Sequence, residues 1–121
     1  MSEPLTVAGL EIAARKATGL KDFGPDTGWR EGFERLVAAI EAMEPNDQLR
    51  HLATQNIVGQ LSTRLRVVED DKRHPEIAKQ DIGDPLIVIG LPRTGTTISY
   101  DLLCLDPEAR APREWEWDIP W

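Results

Sequence analysis

Up to residue 74 the apolar residues recur at the spacing of amphipathic helices, and turn-forming residues interrupt the pattern twice. The first helix is predicted to follow Ser2 as its N-cap and to stop at Gly19, a residue type that readily adopts the left-handed conformation of helix ends. A second helix is predicted to follow Asp26 or Thr27 and to end at Pro45. The pattern thus predicts a helical N-terminal region.

The third predicted helix is the longest. Asn46 is its expected N-cap, and His74 is its expected end because a residue that precedes proline disfavours the α region. Gly59, inside this helix, is expected to mark a close contact with another helix. Phe23, in the loop between the first two helices, is expected to insert into the helical layer. The apolar face of the third helix is predicted to consist of Leu49, Leu52, Ala53, Ile57, Leu61, Leu65 and Val68.

The pattern changes at residues 86–89, which are all apolar. Such a run is typical of a strand that is covered on both faces of a parallel sheet. A tight loop follows, and then a helix in which Cys104 is expected to be a buried thiol. The residues of this helix that are expected to pack on the sheet are Ile98, Leu102 and Leu105. The prediction is an α/β fold of the three-layer P-loop type, with an N-terminal helical region at residues 1–80 and the first strand–loop–helix unit at residues 81–121.

The loop has the composition of a phosphate-binding turn. Gly90 and Gly95 enclose four residues, and two threonines follow at the start of the predicted helix. Successive backbone N–H groups in such a turn point at one spot, toward which the helix also directs its positive end, so the expected ligand is an anion. Arg93 is the only full positive charge in the loop, and Thr96 stands where nucleoside triphosphatases have a lysine. This replacement favours an anion geometry without a metal ion.

The segment at residues 92–97, Pro-Arg-Thr-Gly-Thr-Thr, resembles the 5′-phosphosulfate-binding loop of sulfotransferases that use 3′-phosphoadenosine 5′-phosphosulfate. The apolar run before it is similar to the bacterial branch of that family. Other segments that carry the same resemblance are Thr18-Gly19-Leu20, Asp22-Phe23-Gly24, Arg30-Glu31-Gly32, His74-Pro75-Glu76-Ile77, Asp106-Pro107 and Trp115-Glu116. The resemblance therefore extends over nearly the whole chain.

The resemblance implies a role for each matching residue. Arg93 would donate to the oxygen that bridges sulfur and phosphorus as the leaving group departs. The 5′-phosphate would be wrapped by Thr94, Gly95, Thr96 and Thr97. Glu114 or Glu116 would act as the base that takes the acceptor's proton, although solvated loop carboxylates are an equally good interpretation of both. The implied co-substrate is 3′-phosphoadenosine 5′-phosphosulfate, without a metal, and the implied acceptor is a small molecule that carries a hydroxyl group.

Composition restricts the alternatives. The net charge of −7 over 121 residues disfavours a nucleic-acid partner. No apolar run is long enough to predict a membrane span, and no secretory signal is recognised, so a cytoplasmic location is expected. The single cysteine excludes an intrachain disulfide.

A lone buried-type strand has two unpaired edges, and the resembling family continues well beyond this length. The chain is therefore expected to be the N-terminal piece of a sulfotransferase that is inactive and poorly folded by itself. Two other hypotheses remain open. One is a P-loop nucleotide kinase or hydrolase, against which Thr96 counts. The other is a non-catalytic helical module, which predicts no anion binding.

Overall fold

A computed structural model describes residues 3–113 and residue 116. The helices in this part of the chain are α1 (Val7–Thr18), α2 (Gly28–Ala42), α3 (Asp47–Arg73) and α4 (Thr96–Leu103), with a short 3-10 turn at Ile77–Lys79. The chain divides into two compact units, Met1–Lys79 and Gln80–Trp121, which we call the helical unit and the loop unit.

The start of α1 differs from the prediction, whereas its end agrees. The helix begins at Val7, because the Thr6 hydroxyl accepts a hydrogen bond from the Gly9 N–H at 3.1 Å and so acts as the cap. The cap predicted at Ser2 is therefore wrong, and Ser2 itself lies outside the described residues. Gly19 ends the helix in the left-handed conformation, with φ 74°, as its position predicted.

The caps of the next two helices follow the local sequence. Thr27 occupies the N-cap position of α2 without a side-chain cap bond, while the Asp26 carboxylate accepts from the Gly28 N–H at 2.9 Å. The Asn46 side chain accepts from the Leu49 N–H at 2.8 Å, so the predicted cap of α3 is confirmed. His74 is the C-cap of α3, which confirms the predicted end.

The core of the helical unit lies where the three helices meet the loop after α1. Phe23, from that loop, is buried among the helices as predicted. Leu65 is completely inaccessible to solvent. The buried apolar residues of this core are Leu10, Ala14, Phe23, Phe33, Val37, Ile57, Leu61 and Leu65. Their burial provides the apolar driving force that holds the helices together.

Two carboxylates connect separate helices of this unit. Glu41 on α2 accepts from both Arg50 Nε and the Leu5 backbone N–H, at 3.1 and 3.0 Å, so it ties the residues before α1 to α2 and α3. The hydrogen bonds from Arg50, followed by that from Leu5, lower the pKa of Glu41 below its ordinary value. Glu11 on α1 is buried, and its carboxylate lies 3.0 Å from Arg30 Nη2 on α2.

Two expectations about α3 are wrong. Leu49 and Leu52 belong to the predicted apolar face, but they are 44% and 53% exposed. Helical spacing indicates which side chains share a face and does not indicate whether another element covers them. No atom of the described residues lies within 4 Å of the position that a Cβ would take at Gly59, so this glycine marks no close helix contact there.

The predicted α/β fold is also wrong, because the described part of the chain is all-helical and contains no strand. Leu86, Ile87 and Ile89, from the predicted strand, are between 71% and 87% exposed. A strand exists only through hydrogen bonds to a neighbouring strand, and none of the described residues belongs to a strand that could pair with this segment. Without a sheet, α4 leaves its predicted packing residues Ile98 and Leu102 exposed as well.

Candidate functional site

The candidate site is the turn that leads into α4. Gly95 is the N-cap of the helix, with φ 90°, and Arg93 also has a positive φ, 66°. The Thr94 hydroxyl donates to the Leu91 carbonyl at 2.6 Å and so closes the turn. Left-handed conformations suit glycine and are uncommon for arginine. Contacts within the turn, such as the hydrogen bond from Thr94 to Leu91, therefore hold Arg93 in this conformation.

Gly90 allows the chain before the turn to lie against the residues after it. A Cβ at this position would lie 2.5 Å from Thr96 Cγ2 and 2.9 Å from Thr94 Oγ1. Such separations are shorter than side chains tolerate, so the requirement for glycine at this point is close approach. The two glycines of the loop thus serve different purposes, because Gly95 is needed for its positive φ.

The backbone N–H groups at the start of α4 are available to a ligand. The Gly95 carbonyl accepts from the Ser99 N–H at 3.0 Å, which begins the helical hydrogen bonding. Among the described residues no acceptor is found for the N–H groups of Gly95, Thr96, Thr97 or Ile98, and no side chain caps this end. These free donors and the positive end of the helix are the physical requirements for binding an anion.

Arg93 supplies the positive charge. It lies at the tip of the turn and is exposed, and it forms no ion pair with the described residues. Its guanidinium can therefore donate in a forked geometry to phosphate or sulfate oxygens that the amides hold.

The two carboxylates proposed as a base differ in what the structure describes. Glu114 lies outside the described residues. The Glu116 carboxylate accepts from Arg110 Nη2 at 2.7 Å through one oxygen and from the Arg113 N–H at 2.6 Å through the other. Neither contact involves the loop, so Glu116 serves local structure in this arrangement.

Tyr100 on α4 and Cys104 at its C-cap each add something to the picture given by the sequence. The Tyr100 hydroxyl donates to the Pro112 carbonyl at 2.9 Å, a contact that no local motif signals. Desolvation by nearby protein groups raises the pKa of Tyr100 above its ordinary value, and its neighbour Cys104 raises it further. Cys104 itself is exposed, so its predicted burial is wrong for the same reason as that of the other sheet-facing positions.

A cavity of about 270 Å³ lies in the helical unit between α2 and α3. Trp29 and Phe33 line one side, and Ile57 and Arg64 line the other. Arg64 Nε donates to the Phe23 carbonyl at 2.8 Å, and its guanidinium lies 4.9 Å from the Trp29 ring centroid. Its polar group therefore holds the loop before α2, and the cavity offers mainly apolar walls.

Three comparisons bear on identity. No protein-family model matches the chain, and neither a curated protein nor a solved structure matches it. The described residues contain no group of three side chains that could hold a metal ion. None of the helices in that part of the chain meets the length and hydropathy that a membrane span requires. The functional assignment therefore depends on the residues of the turn and their geometry.

Proposed function

We propose that the turn at residues 90–97 is the 5′-phosphosulfate-binding loop of a sulfotransferase that uses 3′-phosphoadenosine 5′-phosphosulfate. The observation that carries the proposal is the left-handed turn whose free amides lie at the start of α4, with Arg93 at its tip. Both features favour an anion with several oxygens. A cytoplasmic location and a small hydroxyl-bearing acceptor belong to the same proposal.

In the proposed reaction the acceptor oxygen forms a bond to sulfur while the bond from sulfur to the bridging oxygen breaks. Adenosine 3′,5′-bisphosphate leaves, and the acceptor's proton passes to a base. Arg93 and the amides of residues 95–97 stabilise the charge that grows on the leaving phosphate. Alignment of the reacting oxygens with sulfur supplies much of the remaining acceleration.

The base belongs to the proposal too, with Glu114 or Glu116 in that role. Glu116 would have to release at least one of its two hydrogen bonds, to Arg110 or to Arg113, before it accepted a proton from an acceptor. Glu114, two residues earlier in the chain, is the alternative.

A non-catalytic helical module is the second candidate, and one observation favours it. No described residue of the loop unit is buried, whereas the helical unit has a packed core. This candidate predicts that the turn binds no nucleotide. Nucleotide kinase or hydrolase activity is disfavoured because Thr96 replaces the lysine that holds the outer phosphates.

Calorimetric titration of the 121-residue chain with adenosine 3′,5′-bisphosphate tests the proposal. We expect binding that EDTA does not abolish and that Arg93→Ala weakens roughly tenfold or more, because a charge-assisted fork is lost. Arg35→Ala is the matched control, since Arg35 is an exposed arginine of the helical unit whose partner is Glu31. We expect it to leave the affinity unchanged.

Other outcomes of this titration separate the candidates. Absence of binding by the unaltered chain would leave the helical module as the better assignment. Binding of ATP that requires magnesium would support a kinase or hydrolase. Equal affinities of the unaltered chain and Arg93→Ala would remove Arg93 from the mechanism.

A further inference from the structure

Among the residues that the structure describes, the hydroxyl of Thr94, unlike those of Thr96 and Thr97, donates its proton to the protein backbone. A threonine hydroxyl has one proton to donate. In Thr94 this proton is directed to the Leu91 carbonyl at 2.6 Å, three residues back in the chain. A phosphate or sulfate oxygen accepts hydrogen bonds and offers none when ionised, so this hydroxyl is not a donor to such an anion while the turn is closed.

The hydroxyls of Thr96 and Thr97 are in a different position. Both residues lie in the first turn of α4, where the backbone N–H groups are free. No hydrogen bond from either hydroxyl is found within the described part of the chain. These two hydroxyls therefore remain able to donate to an anion beside the amides.

The contact between Thr94 and Leu91 encloses the residue that carries the charge. Arg93 lies between the two and has φ 66°, a conformation that costs free energy for a side chain of this size. Gly90 permits the same conformation of the turn, because the absence of a Cβ leaves room for Thr94 Oγ1 and Thr96 Cγ2. The hydrogen bond of Thr94 and the glycine at position 90 thus hold the turn together.

We infer that Thr94 is a positioning residue of the loop, whose hydroxyl fixes the left-handed conformation of Arg93 and does not donate to the anion. The inference rests on the proposed function where it concerns the anion. It also changes the expected ligand set, because the hydroxyl donors become Thr96 and Thr97 alone, together with Arg93 and the amides.

The test uses the 121-residue chain with three substitutions. Thr94→Val keeps the shape of the side chain and removes the hydroxyl, Thr94→Ser keeps the hydroxyl, and Thr97→Val removes a proposed ligand. Two quantities are measured for each. The first is the φ-dependent coupling between the amide and α protons of Arg93 in the ligand-free chain, and the second is the affinity for adenosine 3′,5′-bisphosphate.

We expect Thr94→Val to change the Arg93 coupling before any nucleotide is added and to weaken binding roughly tenfold, about the effect of one lost hydrogen bond. Thr94→Ser keeps the hydroxyl, so it should leave the Arg93 coupling unchanged. Its affinity should stay within about twofold of that of the unaltered chain. Thr97→Val should weaken binding while leaving the Arg93 coupling unchanged. This separation of the two readouts distinguishes a positioning residue from a ligand.

An Arg93 coupling that is the same in Thr94→Val and in the unaltered chain would overturn the inference, whatever happens to binding. Full loss of binding with an unchanged coupling would instead make Thr94 a direct ligand. If the unaltered chain bound no adenosine 3′,5′-bisphosphate, the proposed function would fail, and the coupling would still decide whether Thr94 closes the turn.

Discussion

The helical unit and the loop unit contain apolar residues of similar kinds but differ in whether these residues are covered. In the helical unit Leu61 and Leu65 are buried against α1 and the loop after it. In the loop unit Leu86 and Ile89 are 75% and 87% exposed, and no described residue of that unit is buried. The difference follows from the element that each pattern forms, since a helix satisfies its backbone hydrogen bonds within itself and a strand does not.

An apolar run has no stabilising effect of its own. Apolar side chains stabilise a fold only when other groups remove them from water. The three helices of the first unit provide such groups for one another. The turn in the second unit keeps its shape by short-range contacts, such as the one between Thr94 and Leu91, which need no covered core.

The largest expected effect is the difference in unfolding free energy between truncating a buried leucine of the helical unit and truncating an exposed leucine of the loop unit. Leu65→Ala should lower the free energy of unfolding by about 2–5 kcal/mol, because the side chain is fully buried and leaves a cavity. Leu86→Ala, at a leucine that is 75% exposed, should change it by less than about 0.5 kcal/mol. Urea unfolding followed by circular dichroism measures both. Similar losses would show that the loop unit also has a covered core.

A smaller effect is expected at the helix caps, within the packed unit. Asn46→Ala should lower the free energy of unfolding by about 1 kcal/mol, because the Leu49 N–H loses its partner. Thr27→Ala is the matched control, since Thr27 occupies an N-cap position without a side-chain cap bond. Its thermal midpoint should stay near that of the unaltered chain. A Thr27→Ala effect as large as that of Asn46→Ala would contradict the cap geometry.

Two glycines without positive φ allow the units to be compared directly. Gly59→Ala should stabilise the helical unit by about 0.5–1 kcal/mol, because alanine favours the helix and no atom in the described part of the chain lies near the new Cβ. Gly90→Ala should leave the thermal midpoint unchanged and shift the amide signals of Thr94 and Thr96, which its Cβ would displace. Destabilisation by Gly59→Ala would imply a helix contact at that position.

The pH dependence of stability provides a prediction for the helical unit alone. The pKa of Glu41 is lowered by its bonds from Arg50 and Leu5, so folding favours the ionised form. The contribution is complete above the pKa of an unfolded glutamate, about 4.3, and is lost as the pH falls through the lower folded value. Glu41→Gln should therefore flatten the decline of the thermal midpoint below about pH 4.3. If the thermal midpoint of Glu41→Gln fell as steeply with pH as that of the unaltered chain, Glu41 would be excluded as the source of the acid sensitivity.

The sequence predicted correctly what depends on a few neighbouring residues. Asn46 caps α3, Gly19 ends α1 in the left-handed conformation, and Phe23 enters the core. The cap of α1 was misplaced at Ser2 because Thr6 offers the same chemistry nearer to the apolar residues, and the Leu5 N–H is used by Glu41 on a distant helix. Periodicity cannot report such a contact.

The candidate site divides in the same manner. The two glycines and Arg93 are visible in the sequence, and the turn that they form is present. The hydrogen bond of Thr94 to Leu91 is not visible, because the sequence does not state whether a threonine donates to a ligand or to its own backbone. The hydrogen bonds that Glu116 accepts from Arg110 and Arg113 are not visible either, because the sequence does not state which donors a carboxylate meets.

From sequence alone the helices, the end of α1 at Gly19, the cap of α3 at Asn46 and the glycine turn could be predicted, because each depends on propensities and hydrogen bonds between residues close together in the chain. The tertiary structure alone decided which apolar residues are buried, whether residues 86–89 form a strand, and which carboxylates join separate helices. These outcomes require a partner from elsewhere in the molecule. The same apolar character therefore produced a core around Leu65 and an exposed segment at Leu86.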